Sequence, residues 1–182
     1  IERVNMYGGF PNYGNPGENE RNPMQYLTKL QAATTITEFP TSSSNTPSRI
    51  GRVLVQDNDF TTETVCNGFV IQNGFLNTVL QQAMSGNFAT NLNDNVYKAS
   101  GAGVLLRKNG ILENCIVTNN RIYGHLDNII STGGGARVSS AAGVFNYGGT
   151  IRNCRITNNE LRVYSNGDLG VFAFGGGCFM KS

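Results

Sequence analysis

Three copies of a nine-residue unit constrain the fold of this chain more than any other feature of its sequence. The copies occupy 66–74, 112–120 and 151–159 and align without gaps. The fourth and sixth positions are apolar in every copy, and the positions between and after them are mixed or polar. This alternation is typical of a half-buried β-strand. The third position is always glycine or asparagine, which favours a sharp bend just before that strand.

The same residue types recur at the same positions, which predicts a solenoid whose coils stack so that equivalent side chains form ladders. A helical solenoid does not fit, because the units lack the helical period and the chain contains 23 glycines. Two apolar interior ladders and one asparagine ladder are predicted. Their members are Phe69, Cys115 and Cys154; Ile71, Val117 and Ile156; and Asn73, Asn119 and Asn158.

A second, glycine- and alanine-rich motif precedes the later copies of the unit. It occurs at 101–104 and 141–144 and recurs at 175–178. Successive copies of the unit are farther apart in the sequence than the length of one coil, so the surplus residues must leave the coil. We expect it to form two loops, at 76–100 and 125–141, both rich in asparagine, serine and glycine.

The whole chain, 1–182, is predicted to form one domain, with an N-terminal capping region at 1–52 and coils over 53–182. The chain stops within the opening of a repeat unit, and we expect the natural protein to continue beyond Ser182. Its formal charge is +2 and its basic residues are scattered, so nucleic acid is not an expected partner. No apolar stretch is long enough to predict a membrane-spanning helix.

The four cysteines are expected to be unpaired. Cys115 and Cys154 share an interior column, where they act as small apolar residues. A disulfide or redox pair is the alternative, since adjacent strands lie about 4.8 Å apart, but side chains in register point in parallel, which disfavours a bridge. Cys66 is assigned to the column of Leu112, and Cys178 to the column of the valines in the second motif.

No metal or cofactor site is predicted. The run Asp57–Asp59 could offer oxygen ligands to Ca²⁺, but it lacks the spacing and glycine of a calcium loop and is interpreted as a turn. His125 is the only histidine and falls in a predicted loop beside Asp127 with no nucleophile placed near it. This argues against His-dependent hydrolysis and zinc chemistry. The asparagine ladder is interpreted as structural, with carbohydrate contact as the alternative.

The charged residues on or beside the repeats do not predict a catalytic site. A glycosidase needs two carboxyl groups that face one cleft. Glu113 aligns instead with Asn67 and Arg152, so no acidic pair stacks there. No cluster of acids converges with the basic residues near the repeats, which are Arg107, Lys108, Arg152 and Arg155.

Several segments resemble right-handed parallel β-helix proteins of the pectin-lyase-like superfamily. Met6–Phe10 followed by Glu20–Pro23 is similar to the first segment of secreted and surface β-helix proteins of Bacteroidetes-type bacteria, and the first copy of the repeat is similar to a rung of that group. The later copies are also similar to polymorphic outer-membrane repeats. The resemblance covers 4–30 and 65–180 and departs from the group at the Ser- and Thr-rich stretch 32–52. It implies an all-β fold, part of a right-handed parallel β-helix with long loop insertions.

The expected function is that of a noncatalytic stalk or adhesin, secreted or at the bacterial cell surface in association with the outer membrane. Its two loops are expected to contact a polysaccharide or a surface protein. One alternative is a segment of a polysaccharide lyase or glycoside hydrolase, since this fold hosts several activities. Another is a subunit of a stacked extracellular assembly, because an open coil end invites pairing with a further strand.

Overall fold

The computed structural model describes residues 4–32, 51–56, 58–79, 100–125, 137–164 and 171–181. Nearly all regular structure within these residues is β-strand, apart from a short 3₁₀ helix over Glu18–Glu20. The strands are β1 (Met6–Tyr7), β2 (Thr28–Gln31), β3 (Leu54–Val55), β4 (Thr64–Asn67), β5 (Phe69–Gln72), β6 (Phe75–Val79), β7 (Val104–Arg107), β8 (Gly110–Glu113), β9 (Ile116–Thr118), β10 (Arg121–His125), β11 (Arg137–Ser140), β12 (Val144–Tyr147), β13 (Thr150–Arg152), β14 (Arg155–Thr157), β15 (Glu160–Tyr164), β16 (Val171–Phe174) and β17 (Cys178–Lys181).

In the described part of the chain these strands form five sheets, and every pairing is parallel. Sheet A has the order β1-β4-β8-β13, sheet B β2-β5-β9-β14 and sheet C β3-β7-β12-β17. Sheet D has the order β6-β10-β15, and sheet E pairs β11 with β16. Parallel strands cannot be joined by a tight hairpin, so the chain passes through other sheets before it returns to each one. The expectation of an all-β fold with parallel sheets is confirmed.

The three copies of the repeat lie side by side and in register. In sheet A, Cys66 pairs with Leu112, which pairs with Ile151. In sheet B, Val70 pairs with Ile116, which occupies the equivalent position in the next copy. The gap-free alignment of the copies therefore corresponds to equivalent residues on adjacent strands, about 4.8 Å apart.

Left-handed backbone marks the bends between strands. Residues at equivalent positions of successive repeats share a positive φ, which few residues other than glycine and asparagine adopt readily. Three columns of the alignment show it: Gly68, Asn114 and Asn153 (φ 83°, 51° and 50°); Asn73, Asn119 and Asn158 (63°, 55° and 53°); and Gly101, Ala141 and Gly175 (69°, 53° and 58°). Recurrence of asparagine at these positions thus has a backbone cause.

The main apolar core lies between sheets A, B and C. Alternate side chains of each strand point into this core and are buried, while the side chains between them point outward. Its buried members are Cys66, Phe69, Ile71, Val104, Leu106, Leu112, Cys115, Val117 and Val144. A smaller cluster beside sheet D contains Ala102, Ile122 and Ala142.

The N-terminal region contributes strands to these sheets rather than lying apart from them. β1 pairs with β4, and β2 pairs with β5. The Ser- and Thr-rich stretch that departs from the family pattern falls largely within 33–50, outside the described residues.

Strands occupy the ends of both segments that the sequence predicts to be loops. β6 includes Leu76, β10 ends at His125 and β11 begins at Arg137, so the loop prediction is wrong for these residues. The strands β6, β10 and β15 have little sequence similarity to one another. Repeats in the sequence therefore did not predict sheet D. The remainder of the two loops, 80–99 and 126–136, lies outside the described residues.

We expect the stability of the chain to depend strongly on which residue replaces Asn119, because the backbone there is left-handed. Its side chain is exposed and its φ is 55°. Asn119→Val should lower the free energy of unfolding by about 1–2 kcal/mol, because a β-branched residue is strained there, whereas Asn119→Gly should not. Equilibrium urea unfolding measures both, and an equal loss in the two variants would contradict the backbone explanation.

Candidate functional site

Arg21 connects the N-terminal segment to the end of β4 through hydrogen bonds. Its Nε donates a hydrogen bond to the carbonyl oxygen of Gly8 at 2.7 Å. A terminal nitrogen donates to the carbonyl oxygen of Asn67 at 3.2 Å and also to the side-chain oxygen of Asn67. The guanidinium carbon lies 5.4 Å from the centre of the Tyr7 ring, within cation–π range. One side chain therefore joins residues that are far apart in the sequence.

Glycine makes this close approach possible. Gly68 has a φ of +83°, and a Cβ atom there would lie 2.5 Å from a guanidinium nitrogen of Arg21. Gly9 has a φ of +90°, and a Cβ atom there would lie 2.6 Å from the Cα of Pro23. The two N-terminal motifs that carry the family resemblance are thus the two halves of one contact.

A polar ladder, defined as Asn67, Glu113 and Arg152, crosses the outer face of sheet A. The side-chain amide of Asn67 donates to a carboxylate oxygen of Glu113 at 2.7 Å, and the other oxygen accepts from Nε of Arg152 at 2.7 Å. Asn114 adds a hydrogen bond from its amide to the side-chain oxygen of Asn67 at 3.2 Å. The only acid of the ladder is therefore held by an arginine and an amide.

A groove of about 450 Å³ lies between the N-terminal segment and the first residues of β9 and β14. Two arginines and two asparagines form its polar wall, and Met24 and Ile116 supply apolar surface. The polar residues are Arg21, Arg155, Asn114 and Asn153. Among the described residues, no hydrogen bond or ion pair holds the guanidinium of Arg155, which is exposed. This cation is available to a ligand.

The outer face of sheet B beside the groove carries no negative charge of its own. None of the four strands β2, β5, β9 and β14 contains an acidic residue. Lys29, Val70, Ile116 and Arg155 lie in register across it, so cations flank two apolar residues. Because its charged side chains are all positive, this face attracts anions and weakly repels cations.

The predicted apolar ladder of Ile71, Val117 and Ile156 lies in register in sheet B. Leu30 of β2 extends it as the partner of Ile71, although sequence reasoning did not name Leu30. The strand Thr28–Gln31 contains one apolar residue, so the alternating burial seen in the structure has little counterpart in the sequence.

Phe69, Cys115 and Cys154 belong to the same interior cluster, with Cys154 only partly buried. The sulfur of Cys115 lies 3.2 Å from the carbonyl oxygen of Glu113, and that of Cys154 lies 3.3 Å from the carbonyl oxygen of Arg152. Each thiol thus reaches the carbonyl two residues before it. All four cysteines of the chain are free.

The environment of these thiols sets their protonation. A hydrogen bond to Cys115 and then burial raise the pKa of Cys66 and of Cys154. Burial raises the pKa of Cys178. Hydrogen bonds from Cys154 and Cys66 lower the pKa of Cys115, against the effect of burial. Cys66, Cys154 and Cys178 therefore stay protonated at neutral pH.

The side-chain amides that meet between the repeats belong to Asn120 and Asn159, which follow two of the three predicted asparagines; Gly74 follows the third. Asn73, Asn119 and Asn158 make the left-handed bend. The fully buried Asn120 accepts from the amide nitrogen of Gly74 at 2.8 Å and donates to the side-chain oxygen of Asn159 at 2.9 Å. Asn159 in turn donates to the carbonyl oxygen of Val117 at 2.9 Å. The left-handed residue rotates the chain, so the next side chain points inward and satisfies backbone groups.

The remaining candidates do not come together. Asp57 lies outside the described residues, and Asp59 forms an ion pair with Arg107 at 3.0 Å. His125 is the last residue of β10. Within the residues that the structure describes, no group of three or more His, Cys, Asp or Glu residues could hold a metal ion. The same residues include no helix with the length and apolar character that a membrane crossing requires.

Comparison of the chain with protein-family models, with curated proteins and with solved structures gives no match.

Gly68→Ala tests the contact around Arg21. The added methyl group meets Arg21 at a left-handed position, so the free energy of unfolding should fall by about 2 kcal/mol or more. Gly14→Ala is the matched control, because its φ of +64° is also left-handed but nothing lies within 4 Å of a Cβ atom there. Thermal and urea unfolding compare them, and equal stability of the two variants would refute this packing.

Asn120→Ala should be far more costly than an alanine at a neighbouring polar residue. It removes the acceptor of Gly74 and the donor to Asn159, so we expect a loss of about 2–4 kcal/mol from buried polar groups left unpaired. Thr118→Ala, on the outer face of the same repeat, should change stability by less than about 0.5 kcal/mol. Similar urea midpoints for both variants would contradict the assigned role of Asn120.

Proposed function

We propose that the chain is part of a right-handed parallel β-helix that serves as a noncatalytic stalk or adhesin, secreted or at a bacterial cell surface. The observation that carries the proposal is the in-register, parallel pairing of equivalent strands from successive repeats. Crossover connections between parallel strands of one sheet are almost always right-handed, which supports the proposed hand. A rod built in this way holds its loops at fixed positions, as an adhesive module needs.

The arrangement of charged residues favours a binding role over catalysis. A glycosidase requires two carboxyl groups that face one cleft, whereas among the described residues the carboxylate of Glu113 is held by Arg152 and Asn67. Arg107 is held by Asp59, and Arg21 is held by backbone carbonyls and Asn67. These groups satisfy one another and hold the fold.

The groove favours a glycan that carries carboxylates. The guanidinium of Arg155 can bind a carboxylate with two parallel hydrogen bonds. The amides of Asn114 and Asn153 can bond sugar hydroxyls, and the apolar surface of Met24, which is 80% exposed, suits the C–H face of a ring. We infer that the groove contributes to binding such a glycan, together with the segments 80–99 and 126–136.

Binding to polygalacturonate and to its methyl ester tests this function. The chain should bind the acid form and should bind the neutral ester at least about tenfold more weakly, since esterification removes the partner of Arg155. Arg155→Glu should weaken binding of the acid form by a similar factor. Lys108→Glu makes the same charge change at an exposed turn outside the groove and should leave affinity within about twofold.

Three results would overturn parts of the proposal. Equal affinity of the wild-type chain and Arg155→Glu would remove the groove from the binding site. Release of unsaturated products or new reducing ends by the wild-type chain would establish the lyase or hydrolase alternative. Concentration-dependent growth of filaments in analytical ultracentrifugation, without glycan binding, would favour the stacked assembly.

A further inference from the structure

Cys115 and Cys154 are two neighbouring free thiols that the proposed function does not use. Arg155 pairs with Ile116, so the cysteines that precede them lie opposite each other on adjacent strands. Neighbouring parallel strands are about 4.8 Å apart, which lies inside the Cα separation that a disulfide accepts. The amide nitrogen of Arg155 donates to the carbonyl oxygen of Cys115 at 2.9 Å, which joins the two strands at the cysteines.

The groove gives small reagents a route to this pair. Both cysteines lie in its wall, and Cys154 is only partly buried. Cys66 also contacts Cys115 but does not line the groove, and it belongs to the column of Leu112 in sheet A. Cys66 lines a separate cavity of about 230 Å³, so the groove brings a reagent to Cys115 and Cys154 together but not to Cys66.

We propose that Cys115 and Cys154 form a reversible disulfide between successive repeats when the protein meets a small aliphatic disulfide. In the parallel arrangement the two Cβ atoms start slightly too far apart, and the bond requires them to approach by a fraction of an ångström. The bends at Asn114 and Asn153, each directly before a cysteine, are the places where the backbone can make this adjustment.

The reaction is balanced by two thiol–disulfide exchanges. Cys154 is the more exposed of the two thiols, and above neutral pH a fraction of it gives its proton to solvent. Its sulfur then attacks one sulfur of the reagent, and the other half of the reagent leaves as a thiolate and takes up a proton to give the first small thiol. Cys115 gives its proton to solvent and attacks the sulfur of Cys154, which forms the protein disulfide and releases the second small thiol. Two cysteines are oxidised and one reagent disulfide is reduced to two thiols.

The pH dependence of the first step follows from the thiol that must react. The pKa of Cys154 is raised by its hydrogen bond to Cys115 and by burial. Its reactive thiolate therefore becomes more abundant as the pH rises above neutral, and oxidation should accelerate with pH.

Oxidation of the folded chain with 2-hydroxyethyl disulfide tests the proposal. After an acid quench and alkylation with N-ethylmaleimide, peptide mapping should show the peptides of Cys115 and Cys154 joined, with Cys66 and Cys178 alkylated. Dithiothreitol should reverse the change. Cys115→Ser and Cys154→Ser should each abolish the bridge, whereas Cys178→Ser, matched in chemistry but outside the groove, should retain it.

Other products would overturn the proposal. Alkylation of all four thiols after exposure of the folded chain to the reagent would show that the strands cannot approach. A bridge from Cys115 to Cys66, or a lasting adduct of the reagent on Cys154 with Cys115 still free, would show that the wrong partner reacts. Circular dichroism of each serine variant establishes that it is folded before oxidation. The bridge depends on the pairing of β9 with β14 and on access through the groove, and neither requires Arg155 to bind a glycan, so its failure leaves the glycan-binding test unaffected.

Discussion

In-register hydrogen bonding between parallel strands of successive repeats places every interior side chain against its own equivalent. Leu112 lies between Cys66 and Ile151, and Val117 lies between Ile71 and Ile156. One repeat cannot bury its apolar face alone, because the surface above and below it is supplied by its neighbours. The packing of the core, the ladders and the outer surface all follow from this register.

The register can persist only if each repeat bends at the same places. Positive φ angles at equivalent positions provide these bends, and asparagine supplies most of the non-glycine examples. A sharp bend leaves backbone groups without strand partners, and buried side chains must satisfy them. Asn120 and Asn159 do so next to one bend, and the hydroxyls of Ser100 and Ser140 meet at 3.0 Å in the buried interior next to another.

The outer surface uses the same register for a different purpose. Across sheet A it aligns Asn67, Glu113 and Arg152 so that charge and hydrogen bonds are satisfied from strand to strand. Across sheet B it brings no acid to Arg155, which leaves that cation beside an apolar and amide-lined groove. In the described part of the chain, Arg155 thus differs from Arg21, Arg107 and Arg152, whose guanidinium groups are each held by a hydrogen bond or an ion pair.

Alternation and repetition in the sequence alone determined the strands of the repeat, the interior position of Val117 and the placing of Cys66 opposite Leu112, because these depend only on a period of two and equal spacing. Only the tertiary structure decided which asparagine of each pair turns inward, since a left-handed residue reverses the side-chain direction that alternation predicts. It also decided the contact of Arg21 with Gly8 and Asn67, because that contact joins segments with no common period. The groove beside Arg155 depends on the same long-range contact, and for that reason no local pattern in the sequence could reveal it.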